Sequence, residues 1–483
     1  MLSLVRSMKN KFAPINRVPL DIFYLIPGYW DGGDVDENLI TLTHVCRSWR
    51  ELLIAHSSLW THMDCKNTNK TRIYIERSKS SPLKISLYAY GVAAYPEEAF
   101  LFVAPHISRL RSLSIDGTVD PLRNLTPHLS CPVPLLRELT INLTCDPEPT
   151  LESTLFNGDL SSLYSLSLAG VITNLPWKNM SKLTTFTLSH VPDGGISITQ
   201  LLDFFTNTCH LRDITLDQSI PTSSNALPGR VVPLPYLKNL IIYTDRVPTL
   251  LNHLSIPVGA SLTLDFGFHG DKSPLPELLP KPPTNLKNIT SITSVNLCLG
   301  AIDKYVRLDG PSGRLYILGH WDWDETTAAY LDYRIVRSLN YFALSGTRRL
   351  AVTDSHLPMA TKFTRAPAYY ILHHMKHLRT LTLAQCHNLP FFLALNPDLN
   401  PSKVILCPNL EKLILYVETQ NSFGLPELLS MVKERASVGT KLPSLRIIGL
   451  GGFVPGVEAL KLEEHISHLD FESRREPPNW DTI

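Results

Sequence analysis

LRSLSI (residues 110–115), LRELTI (136–141), LYSLSL (163–168), LTTFTL (183–188), LRDITL (211–216), LKNLII (237–242), LRTLTL (378–383), LEKLIL (410–415) and LRIIGL (445–450) are versions of one phrase, apolar-x-x-apolar-x-apolar. Over the first six copies the starts fall 26, 27, 20, 28 and 26 residues apart (110, 136, 163, 183, 211, 237), and after Leu378 they fall 32 and 35 apart (378, 410, 445). Weaker copies stand at 291–297 (SITSVNL), 315–317 and 350–352. The last two apolar residues flank a single outward position, which is the period of a strand. The first apolar residue comes from the turn that enters the strand. Each unit then returns through a crossover of about 15–25 residues, as parallel pairing requires. One unit cannot bury its apolar face alone, but stacked units can, so the spacing predicts an α/β solenoid with a parallel sheet. Some crossovers read as helices: 198–207 (ITQLLDFFTN), 366–375 and 426–436 (PELLSMVKERA), the last with Pro426 at a helix start. Residues 274–283 (PLPELLPKPP) read as an extended loop. The phase is lost between 254 and 350, where an insertion is expected.

Composition removes several classes of function. The chain has 483 residues, 44% of them hydrophobic and only 18% charged, so it can bury a large core and is not disordered. The 45 basic and 44 acidic residues leave a formal charge of +1, which argues against nucleic-acid and anionic-membrane partners. The 37 prolines favour short elements separated by turns. No two of the eight cysteines have metal-type CxxC spacing, which predicts free thiols rather than disulfides or zinc. No stretch of about 18 apolar residues is present, and MLSLVRSMKNKF does not read as a signal peptide, so the cytoplasm or nucleus is expected.

Residues 1–65 do not follow the repeat. Residues 18–26 (VPLDIFYLI) read as a short helix opening at Pro19, with Leu20, Ile22, Phe23 and Ile26 at helical spacing. An acidic, glycine-rich loop, GYWDGGDVDE (28–37), follows. Residues 38–55 read as one helix with Leu39, Leu42, Cys46, Trp49 and Leu53 on a single face, widened by Val45 and Leu52. Leu59 and Trp60 follow a Ser57-Ser58 break. Periodicity alone fits a helical cap over the first repeat equally well.

These residues also carry a resemblance. VPLDIFYLI, then LTHVCRSWREL (42–52), then SLW (58–60) resembles the F-box pattern, a proline-led LPxEIxxxI helix followed by LxxVCRxWRxL and an LW pair. Val18 stands in place of the usual leucine, and the loop at 28–37 is longer than in a minimal F-box. With the repeats behind it, which resemble irregular leucine-rich repeats, the chain is similar to a group of fungal F-box-like proteins. The resemblance implies an F-box-like helical domain (12–65), a linker and first repeat elements (66–107), a leucine-rich-repeat-like solenoid (108–471) and a loose tail (472–483). It implies a substrate-recognition subunit of an SCF-type cullin–RING ubiquitin ligase. Pro19, Leu20, Ile22, Phe23 and Ile26 would dock the adaptor subunit, and Leu42, Val45, Cys46, Trp49 and Trp60 would mix core and contact roles. The alternative is a repeat scaffold in which these helices are only a cap.

A solenoid would offer a second surface for a protein substrate. The outward strand positions are rich in hydroxyls and poor in charge, which favours a hydrogen-bonding partner over a polyanion; Asp213, Asn239 and Lys412 lie among them, with Tyr243 and Tyr416 as aromatic anchors. The same hydroxyls suit any exposed strand. No catalytic, metal or cofactor set is expected. His373 and His377 are four apart but lack the glutamate of an HExxH motif, GLGGFVPG (449–456) lacks the lysine of a phosphate loop, and WDWDE (321–325) stands alone.

Overall fold

Wherever the structure describes a copy of the phrase, a strand is found. The computed structural model describes residues 14–19, 22, 24, 35–89, 97–118, 127–143, 150–151, 155–173, 179–191, 196–219, 229–243, 250–265, 284–299, 303–320, 339, 342–353, 364–384, 388–418, 423–454 and 456–475. The chain divides into two compact units, Met1–Leu211 and Arg212–Ile483. Both are α/β, and most strand pairing is parallel, as the repeat spacing predicts.

The first unit contains helices α1 (Val35–Val45), α2 (Arg47–Ala55), α3 (Thr68–Ser78), α4 (Glu97–Val103) and α5 (Ile198–Asn207). Its strands are β1 (His62–Met63), β2 (Leu83–Ala89), β3 (Leu110–Gly117), β4 (Glu138–Leu143), β5 (Thr150–Leu151), β6 (Ser165–Ala169), β7 (Ile172–Thr173) and β8 (Thr185–Ser189). Strands β1, β2, β3, β4, β6 and β8 pair in that order, all parallel. Register stacks like positions of the phrase. Leu113, Leu139, Leu166 and Phe186 form one buried row, and Ile115, Ile141, Leu168 and Leu188 form a second. The first leucines, Leu136, Leu163 and Leu183, are buried at tight turns whose N–H groups reach back three residues. α5 starts at a capping box: Ser197 Oγ accepts from Gln200 N, and Gln200 Oε1 accepts from Ser197 N. Its Phe204 and Phe205 pack on Phe186 of β8, at ring distances of 4.6 and 6.3 Å.

The second unit contains β9 (Asp213–Asp217), β10 (Val232–Pro233), β11 (Asn239–Tyr243), β12 (Leu254–Ser255), β13 (Ser261–Asp265), β14 (Ser294–Leu299), β15 (Asp303–Gly310), β16 (Gly313–His320), β17 (Arg349–Thr353), β18 (Thr380–Ala384), β19 (Lys412–Val417), β20 (Ser444–Leu450) and β21 (His468–Arg474). Its main sheet runs β9-β11-β13-β16-β15-β14-β17-β18-β19-β20-β21. Here the expected insertion takes a definite form. β14, β15 and β16 make a meander whose middle strand is antiparallel, while β14 and β16 keep the parallel direction against β17 and β13. The β15–β16 hairpin tip is fixed by close backbone approach. A Cβ at Gly310 would lie 1.8 Å from Ser291 O, and one at Gly313, where φ is +133°, would lie 2.4 Å from Ala260 O. α6 (Arg365–His374), α7 (Asn388–Leu395) and α8 (Leu425–Ser437) are the crossovers between β17 and β20. The sequence reading lacked α7, because NLPFFLAL is apolar all round and carries Pro390, which sits in the first turn where it is tolerated.

Several expectations are corrected. Leu413 faces Leu445 and Leu415 faces Ile447, so the last strong phrase starts at Leu442 rather than Leu445. Its interval from Leu410 is then 32 (410 to 442), equal to the interval from Leu378 to Leu410. A further copy follows at Ile466, with Leu469 facing Leu445 and Phe471 facing Ile447. Residues 38–55 are not one helix: Cys46 is extended (φ −157°, ψ 168°) and divides α1 from α2. Residues 66–107, read as a linker and first repeat elements, contain α3, β2 and α4, and Glu472, read as tail, lies within β21. Residues 274–283 and 321–325 lie outside the described residues.

The C-terminal end of the outward face of β18–β20 is also buried. Ala384, Tyr416, Ile448 and Leu450 form one cluster with Ile414 against it. The sequence carries the sign of this: KLILYV and SLRIIGL are nearly continuous apolar runs, typical of strands covered on both faces.

Candidate functional site

The N-terminal helices are built around two tryptophans. Cys46 caps α2, its Sγ accepting from Trp49 N at 3.5 Å. Across the same break Arg50 Nε donates to Thr43 O at 2.9 Å, so the α1–α2 corner is closed by side chains. Trp60 is fully buried beyond α2; its indole N–H donates to Leu53 O at 2.8 Å. Its ring meets Tyr74 of α3 edge-on at 5.0 Å, and the Arg77 guanidinium lies 4.3 Å from the ring centroid. α3 begins at Asn67, whose Oδ1 accepts from Lys70 N. The far end of α3 is tied down by Arg109, which donates to Ser78 Oγ at 2.8 Å and Ser81 O at 2.7 Å; burial pulls its pKa down. On the solvent side, Arg47 donates to Glu51 at 2.8 Å, and that hydrogen bond raises its pKa.

The predicted contact residues separate by exposure. Leu42, Trp49 and Trp60 are buried and belong to the core of this segment; Cys46 is half-buried at the corner. Pro19 is exposed, as are Ile22 at 51% and Val45 at 55%. Leu20, Phe23 and Ile26 lie outside the described residues. The break at Cys46 is what frees Val45 from the stripe in which the sequence places it. Sequence reasoning missed a groove of about 480 Å³ between α1, α2 and α3, lined by Ile40, Arg50, Ile54, Lys70, Ile73 and Arg77 among others. Ile40 and Ile73 are each 36% exposed there. Asn67 as a helix cap ahead of TNKTRIYIERS was the available signal.

The predicted substrate contacts do not converge. Asn239 Nδ2 donates to Asp213 Oδ1 at 2.6 Å across β9 and β11, and Tyr243 is exposed at the end of β11. Lys412 and Tyr416 lie on β19, seven strands further along the sheet order given above, or roughly 34 Å at about 4.8 Å per strand. Tyr416 is only 5% exposed and so is no open anchor; burial raises its pKa, against the pull of Arg474 and Arg446. The histidines do not make a metal face either: α6 ends at His374, His373 stacks near Tyr369, and exposed His377 lies past the helix end. His387 lies outside the described residues.

No protein-family model matches the chain, and no curated protein matches it.

Proposed function

We propose that the chain is a substrate-recognition subunit of an SCF-type cullin–RING ubiquitin ligase. Its N-terminal helices would dock the adaptor subunit, and its leucine-rich-repeat-like solenoid would hold a protein substrate. The observation that carries this reading is the VCRSWREL corner. Trp49 packs inward with Leu42 and Leu53 on either side of this stretch, Ile22 and Val45 stay more than half exposed, and a groove lined in part by Ile40 and Ile73 lies between the helices. Exposed apolar side chains around a small helical core are what a docking surface needs. The chain would do no chemistry itself; ubiquitin transfer would belong to partner subunits. The antiparallel β15 departs from an all-parallel repeat array, and the buried C-terminal end of the outward face of β18–β20 moves substrate capture away from that part of the sheet.

The test is co-expression with the adaptor subunit and co-purification, with Ile22→Glu/Val45→Glu beside the wild type and circular dichroism of both. Capture by wild type that is lost in a folded variant supports the reading. A folded wild type that captures no adaptor overturns it in favour of the scaffold with a helical cap.

A further inference from the structure

The arginines and lysines of the repeats stand far apart in sequence, yet the second unit gathers them along one edge. Positions two and three of the phrase hold Arg212, Lys238, Arg314, Arg348, Arg349, Arg379 and Lys412. Backbone geometry fixes where they sit. The carbonyl of position two accepts two N–H groups from the entry of the next strand: Lys238 N and Asn239 N bond Arg212 O, Arg379 N and Thr380 N bond Arg348 O, and Glu411 N and Lys412 N bond Arg379 O. The backbone is thus pinned in the sheet while the side chain is left at the solvent edge. Arg212, Lys238, Arg348, Arg349 and Arg379 are all exposed. On the adjacent strands β17, β18 and β19 such residues lie about 4.8 Å apart; β13 and β14 carry Ala260-Ser261 and Thr293-Ser294 at these positions and interrupt the row.

Part of the row lines two shallow, open clefts. A cleft of about 520 Å³ is lined by Arg348, Arg379, Lys441, His377 and Glu411, among others. A second, of about 580 Å³, is lined by Arg307, Arg314, Arg349 and Asp309, among others. Asp309 accepts from both Arg307 and Arg314, at 2.6 and 2.5 Å, and Glu411 pairs with Arg379 at 3.2 Å. Arg348, Arg349 and Lys441 have no ion-pair partner among the described residues. Each cleft therefore keeps two positive charges in excess (three cations, one carboxylate), on a chain whose formal net charge is +1.

We infer that this strand-entry edge, centred on Arg348, Arg349, Arg379 and Lys441, docks an acidic, extended polypeptide segment. An extended chain advances about 3.3 Å per residue, so carboxylates three residues apart span about 10 Å, the width of two strand spacings. A single-stranded nucleic acid fits less well: no Phe, Tyr or Trp ring is among the described residues lining either cleft, and Glu411 and Asp309 would face phosphates. The edge belongs to the second unit alone; only its use in substrate capture rests on the ligase-receptor reading.

The test uses the full chain and a fluorescein-labelled polyglutamate peptide of about 16 residues, followed by anisotropy at about 50 and about 300 mM salt. Wild type is expected to bind, more weakly at the higher salt. Arg348→Glu/Arg379→Glu should weaken binding on the order of tenfold or more, and Lys66→Glu/Arg72→Glu, in the first unit, less than about twofold. Failure of wild type to bind overturns the inference, as does equal loss in both variants. Tighter binding of an oligothymidylate with the same variant sensitivity overturns it in favour of nucleic acid. Adaptor capture should be the same for Arg348→Glu/Arg379→Glu as for wild type, so the two readings fail separately.

Discussion

Trp60 decides whether the N-terminal segment is a folded core with a separate contact surface. Trp60→Ala removes one of the largest fully buried side chains, together with its edge contact to Tyr74, its hydrogen bond to Leu53 O and the seat of Arg77. Truncations of this kind cost about 3–5 kcal/mol. Trp60→Phe keeps most of the ring volume. It loses the indole hydrogen bond, worth about 1 kcal/mol, while Leu53 O still accepts from His56 N at 3.3 Å and is not orphaned. The expected cost is about 1–2 kcal/mol. For a unit of this size these costs lower the midpoint by about 10 °C or more for alanine and about 3–6 °C for phenylalanine. Thermal unfolding by circular dichroism reads both, and amide exchange in α2 and α3 localises the effect. Under the docking proposal Trp60→Phe still captures the adaptor, whereas Val45→Glu fails to capture it with an unchanged melting curve. A Trp60→Ala protein melting with wild type would refute the core assignment. A Trp60→Phe protein melting as low as Trp60→Ala would show that the hydrogen bond, not the volume, carries the energy.

Two further predictions concern the second unit. Arg435 of α8 is fully buried, with burial lowering its pKa; it donates to Leu406 O at 2.9 Å and Cys407 O at 3.0 Å. Arg435→Ala, which strands Leu406 O and leaves a void, should cost about 3–5 kcal/mol, and Arg435→Met, which keeps the stem and removes a buried charge, about 1–2 kcal/mol less. Urea unfolding ranks them, and an alanine variant as stable as wild type would refute the clamp. Burial pushes the Cys407 thiol from an ordinary value near 9 up to about 12. A raised folded pKa favours the folded state while the thiol stays protonated. That stability is fully present below pH 9 and is lost as the pH rises toward 12, by about 4 kcal/mol at 1.36 kcal/mol per pH unit. Cys407→Ala should flatten this alkaline limb. Iodoacetamide on the native protein should label exposed Cys131 and Cys209 but not Cys407, and peptide mapping showing rapid Cys407 modification would contradict the burial.

The sequence by itself determined the strands. A leucine pair around one outward residue has only one way to bury both side chains, and its return every 20–35 residues leaves room for the crossover that parallel pairing needs. It also marked α5, because Ser197 and Gln200 satisfy the helix start locally. What it left open concerns relations between segments. The stretch 442–450 offers Leu442, Leu445, Ile447, Ile448 and Leu450 to more than one frame, and only pairing with β19 sets its phase. The stripe through 38–55 fits one helix until Cys46 turns extended, a local change that moves Val45 into solvent and leaves Leu42 and Trp49 inside. Tyr416 reads as an outward anchor, yet burial depends on what packs over the strand, and Ala384, Ile448 and Leu450 enclose it. A composition close to neutral argues against nucleic-acid and anionic-membrane partners and gives no sign of a cationic edge. Arg348, Arg379 and Lys412, 31 and 33 residues apart in sequence, become neighbours on strands about 4.8 Å apart only when β17, β18 and β19 align. Local period is written in the chain; register, cover and the gathering of charge exist only once distant segments meet.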